Sequence, residues 1–144
     1  MHLFRRIVTD EDMCFLRDWI DMLSTIAEIR SPIVWREPAD KVLKEMPQGK
    51  RYAEFQDKLN YCDFKDCYPY RDEDKFKNLD AILSMITACE VKDDVRVISK
   101  ATEIIKKAGL STEYKKKLIH KYYIPEYAPE FVRDQLTREW LMMM

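Results

Sequence analysis

Apolar residues along this chain recur at steps of three and four, the period of an amphipathic helix, and strict alternation is rare. The first such segment opens at Thr9, an N-cap residue with Asp12 three positions on. Its apolar face runs Met13, Leu16, Ile20, Leu23 and Ala27, with Trp19 and Ile26 beside it, and Ser31-Pro32 stops it. A short second helix is predicted from Pro38 through Val42, Leu43 and Met46 to the turn at Pro47-Gln48-Gly49. A third covers about 50–59, with Tyr52, Phe55 and Leu59 on one side. Residues 60–71 break the period. Their Tyr and Phe content makes them an ordered loop, not a linker.

The most apolar segment, 72–89, carries Phe76, Leu79, Ile82, Leu83, Met85 and Ile86, and it is expected at the centre of the bundle. Asp93 or Asp94 caps a fifth helix with the stripe Val95, Ile98, Ala101, Ile105 and Ala108. Gly109 follows at the C′ position, with Leu110 as the hydrophobic partner of a Schellman turn. Ser111 opens a sixth helix with Tyr114, Leu118 and Tyr122 inward and Lys115, Lys116 and Lys117 largely outward, and Pro125 breaks it. Ala128-Pro129-Glu130 opens a seventh, apolar at Phe131, Val132, Leu136 and Trp140, which runs to Met144. The pattern predicts an all-α, single-domain bundle of six or seven short amphipathic helices over 1–144.

Composition narrows the alternatives. The chain has two glycines, where an average usage of roughly 7% would give about ten. Gly-rich phosphate loops, tight hairpins and βαβ turns can hardly be written with two. Neither GxxxxGK[ST] nor GxGxxG occurs.

Charge is balanced, 25 basic against 26 acidic residues, which excludes a globally basic nucleic-acid binder. It is not uniform: residues 91–144 carry 11 basic and 8 acidic side chains. No run approaches the ~18 apolar residues of a membrane span. Met1 to Val8 has Arg5 and Arg6 but neither an apolar h-region nor a cleavage motif, so no cleaved presequence is expected. Without a secretory context, Cys14, Cys62, Cys67 and Cys89 are expected to be reduced.

No constellation of catalytic type stands out. Cys62-x4-Cys67 has zinc-ligand spacing, but a structural site needs four ligands, and His2 and His120 are the only imidazoles. His120 sits on a Lys-rich helix and reads as a boundary residue. The clusters Asp10-Glu11-Asp12 and Asp72-Glu73-Asp74 stand where helices begin, where negative charge offsets the helix dipole. No enzyme, metal or cofactor is expected. The stripe Lys106, Lys107, Lys115, Lys116, Lys117 and Lys121, next to Tyr122 and Tyr123, has the make-up of a nucleic-acid platform or an anionic-lipid contact. A solvated helix face explains it more simply.

Seventeen aromatic residues and eight Met exceed what a core of this size absorbs. Such residues in groups mark protein contacts. Trp35, the Tyr-rich loop with Tyr68 and Tyr70, and the terminal Leu-Met-Met-Met are the excess.

From Arg96 onward the chain resembles the small helical matrix-side subunit, often called the ubiquinone-binding protein, of mitochondrial ubiquinol–cytochrome c reductase (complex III). Arg96-Val97 with Lys100-Ala101 and Leu110-Ser111-Thr112-Glu113-Tyr114 carry the likeness first. The block from Tyr123 through Tyr127, Glu130 and Arg133-Asp134 to Glu139-Trp140 carries it further. Ser111 stands where that family has Pro, the family's upstream Met-Arg-Asp-Asp segment is missing, and residues 1–90 are an unassigned elaboration.

The resemblance implies a non-catalytic accessory subunit without a cofactor, peripheral on the matrix side of the mitochondrial inner membrane. Its partners would be cytochrome b and the core subunits, with anionic lipid contact possible and no nucleic acid. Candidate contact residues are Trp35, Tyr68, Tyr70, Tyr123, Tyr127, Arg133 and Trp140. Two alternatives remain: a small soluble, cytoplasmic helical regulator of host or viral type, and a nucleic-acid binder using Lys106–Lys121.

Overall fold

The structure, a computed structural model, describes residues 10–31, 36–39, 41 and 71–144, with side chains from Arg17 onward in those stretches. The helix expected over 50–59, the aromatic loop, Trp35, Cys62 and Cys67 lie outside the described residues. Five helices are α1 (Asp10–Ile29), α2 (Asp72–Ala88), α3 (Val95–Ala108), α4 (Thr112–Tyr122) and α5 (Glu130–Met143). Helical backbone also covers 36–39 and 41, and no strand occurs among the described residues. The protein is an all-α bundle.

Helix α2 is the hub. Leu79, Ile82, Leu83, Met85 and Ile86 are buried along it, and it packs against α1, α3 and α4. Each fully buried Ile or Leu contributes about 1.5–3 kcal/mol, so this helix anchors the core. Its first turn holds Asp72, Glu73 and Asp74 at the positive end of the dipole, as capping chemistry demands.

Helix α1 is turned from its predicted orientation. Trp19, Met22, Leu23 and Ile26 are buried, while Ile20 is half-buried and Ala27 exposed. The shift is about a quarter turn. It places Trp19, the largest side chain, in the core, where its Nε1–H donates to Asn78 Oδ1 at 2.9 Å.

Asp94 is the N-cap of α3 and accepts from the Arg96 guanidinium at 3.3 Å and the Arg96 amide at 2.8 Å. The guanidinium bonds first, and the amide second, hold its carboxyl below the usual range. Gly109 ends α3 in the left-handed region (φ 65°), as predicted, with Leu110 buried. Val95, placed on the α3 stripe by its spacing, is the first residue of the helix and is 79% exposed; Val97, Ala101, Ile104, Ile105 and Ala108 form the buried stripe.

Candidate interaction face at the C-terminal hairpin

Helices α4 and α5 form a hairpin joined by residues 123–129, and α5 packs chiefly on α4. Three contacts pin it. His120 Nε2 lies 3.0 Å from Thr137 Oγ1, and the Thr137 hydroxyl donates its proton to the Arg133 carbonyl at 2.7 Å. The hydroxyl is therefore the acceptor and His120 Nε2 carries the hydrogen. The Tyr123 and Trp140 rings stack with centroids 4.0 Å apart. The Arg133 guanidinium donates to the carbonyls of Pro125 (3.2 Å) and Glu126 (3.5 Å), closing the turn.

The hairpin is also tied to the core. Tyr122 Oη–H donates to Asp80 Oδ1 at 2.6 Å, and Lys121 Nζ donates to the same oxygen at 2.8 Å. Burial and the neighbouring Asp80 charge push the Tyr122 phenol well above its ordinary value. Burial first, and Asp93 second, push Tyr123 up to about 12. Both phenols stay protonated donors at physiological pH. Phe76 of α2 tilts against Tyr114 of α4 at 5.1 Å, and Lys92 Nζ caps the Tyr122 carbonyl at 2.8 Å. A cavity of about 500 Å³ lies beside the Tyr123–Trp140 stack, lined in part by Lys92, Asp93, Tyr123, Glu126 and Trp140.

Of the candidate contact residues, Tyr123, Arg133 and Trp140 come together inside the hairpin, where they hold its shape. Tyr127 points away at 90% exposure. Trp35, Tyr68 and Tyr70 lie outside the described residues. One further exposed apolar residue, Phe131, escaped the sequence reading, which grouped it with Trp140, whereas Met142 belongs to the terminal Leu-Met-Met-Met set apart there as excess. Phe131 is 72% exposed and Met142 88%. The signal was present: nine residues separate Phe131 from Trp140, about 180° around a helix, so both cannot face α4. Of the terminal methionines, Met144 turns back into the core while Met143 is exposed.

Four of the six lysines in the stripe have intramolecular partners. Lys107 pairs with Glu103 at 3.3 Å, where Lys100 also reaches it, and Lys121 pairs with Asp80 at 2.8 Å. Lys115 donates to the Met144 carbonyl, and Lys117 lies 4.9 Å from the centre of the Tyr114 ring. Lys106 and Lys116 are its members without a partner among the described residues.

No group of three or more metal-binding side chains occurs among the described residues, and no described helix is long and apolar enough to cross a membrane. Set against models of known protein families, curated proteins and solved structures, the chain matches none.

Proposed function

We propose that this chain works by contact, as a non-catalytic helical subunit of a larger assembly, and that the outer face of its C-terminal hairpin is one docking surface. One observation carries the reading. Tyr127, Phe131 and Met142 stand exposed on a hairpin pinned from behind by the Tyr123–Trp140 stack, His120–Thr137 and Arg133. Large apolar side chains held out by a rigid support are the usual make-up of a contact surface, since little entropy is lost when they dock. The assembly suggested by the Tyr123–Trp140 sequence block is complex III, with the chain on the matrix side against cytochrome b and the core subunits.

Mild-detergent extraction of the tagged chain from its own cells, followed by native separation and identification of what migrates with it, tests this. Co-migration with cytochrome b and the core subunits is the expected result. A different, soluble companion would replace the complex III reading with that of a soluble helical regulator. Migration with no companion protein would overturn the accessory-subunit reading.

A further inference from the structure

The outer face of α5 carries its exposed side chains in a single stripe. At about 100° per residue, Phe131, Arg138 and Met142 fall within about 40° of one another, with Asp134 and Gln135 on either side. All five side chains are exposed. The order along this face is aromatic, acid and amide, base, thioether, and the point halfway between Phe131 and Arg138 lies between Asp134 and Gln135. A two-fold axis at that point, set across the helix, turns the 131–138 stretch onto itself in the antiparallel sense.

The pairs brought together are chemically matched. Phe131 comes opposite Arg138 of the second copy, a cation over an aromatic ring. Met142 reaches past the start of the second copy's helix to the turn that carries Tyr127, a thioether against an aromatic ring. Asp134 lies one helical turn from Arg138 of the second copy, so two carboxylates and two guanidiniums alternate around the axis. Within one chain Asp134 and Arg138 stand four residues apart, yet neither takes part in an ion pair or side-chain hydrogen bond among the described residues. Both are thus available. Glu130 and Glu139 stand about 100° and 80° from Phe131, at the sides of the face, where their carboxylates remain in water. The net charge of −1 per chain sets up little overall repulsion between copies.

We infer that the occupant of this face is a second copy of the chain, paired antiparallel through α5 in a two-fold dimer. The inference rests on the contact reading above and names the partner of that same surface. A single helix face of this length buries less than the roughly 800 Å² per partner of a standard interface, so the dimer is weak and depends on concentration.

Sedimentation equilibrium of the full chain between about 10 μM and 1 mM, concentrations chosen for a weak interface of this size, is the test. The wild-type average mass is expected to climb from 17.4 kDa toward twice that value, and Phe131→Ser is expected to hold it at the monomer. Two charge variants decide the register. Arg138→Asp makes the ring all acidic and Asp134→Arg makes it all basic, so each alone should stay monomeric. An equimolar mixture should associate where neither variant does alone, because acid then meets base around the axis, although more weakly than wild type since one Phe131 loses its Arg138 partner.

Circular dichroism of each variant confirms that the helices are intact. A wild-type chain that stays monomeric at 1 mM overturns the inference. So do charge variants that self-associate like wild type, or a mixture that fails to associate. A monomer that still enters a larger assembly on extraction defeats the dimer and leaves the contact reading standing. A dimer without other companions upholds this inference and overturns the accessory-subunit reading.

Discussion

Glu90 occupies a left-handed backbone conformation (φ 57°) at the end of α2, with the Val91 amide bonded to the Ile86 carbonyl and the Glu90 amide to that of Thr87. This is the Schellman geometry that glycine adopts without strain. Gly109 holds the same place after α3, with nothing near where a Cβ would stand. Glu90→Gly is therefore expected to stabilise the fold by about 0.5–1 kcal/mol and Gly109→Ala to destabilise it by about 1 kcal/mol. Loss of the exposed Arg30–Glu90 ion pair, 3.6 Å long, costs little. Urea midpoints with unchanged slopes would show both; a destabilised Glu90→Gly chain would refute the strain argument.

Asp18 is the other residue of consequence. It is 1% exposed beside Arg17 at 3.3 Å, its Oδ2 has no hydrogen-bond partner among the described residues, and burial pushes its carboxyl up to about 7. The folded state thus binds a proton between pH ~4 and ~7 that the unfolded state has already released, and its contribution to stability is lost as pH rises through that window. Asp18→Asn is expected to flatten this dependence and to stabilise the chain by about 1–2 kcal/mol at pH 8, read from melting temperatures between pH 4 and 8. An unchanged profile would count against it.

At the scale of elements, the α2–α4 junction is a polar clamp on an apolar contact. Asp80 receives the Tyr122 hydroxyl and the Lys121 ammonium while Phe76 meets Tyr114 beside them. Tyr122→Phe keeps the ring and removes one hydrogen bond to a charged acceptor, so it should cost about 1–2 kcal/mol. Chemical denaturation measures this. A neutral result would place the clamp's strength in Lys121 instead.

These elements were unequally legible. The extents of α2 through α5 and the caps at Asp94 and Gly109 follow from local chemistry, because a cap is satisfied within a few residues. The orientation of α1 does not. Ile20 and Ala27 are apolar like Met22, and the face that is buried is set by packing against α2 and α3, where Trp19 enters the core and donates to Asn78, 59 residues away.

Across the whole molecule, burial is graded. Helix α2 touches three helices, whereas α5 leans chiefly on α4, with Thr137 as its buried residue and Trp140, Leu136 and Leu141 half-covered. Opening free energy follows buried apolar area. Native-state hydrogen exchange should therefore release α5 amides well before those of α2. At concentrations that favour pairing, α5 alone should gain protection. Uniform exchange across the helices would contradict the gradient.

The same gradient explains what could be read of the contact surface. Tyr123, Arg133 and Trp140 were marked by residue type, and the structure spends all three on holding the hairpin. Phe131 passed for core because apolar character does not say which side of a helix is covered.

By itself the sequence determined the helical architecture, most helix ends and the absence of phosphate-loop motifs, since periodicity, capping and glycine shortage act over a few residues and need no partner. Only the tertiary structure decided which stripe of α1 is buried, that Asp18 and Asn78 sit in the core, and that four of the six stripe lysines are engaged by internal acids, a carbonyl and a ring. It alone turned Phe131 outward. Burial is a property of two surfaces, and the second surface in each case comes from a distant part of the chain.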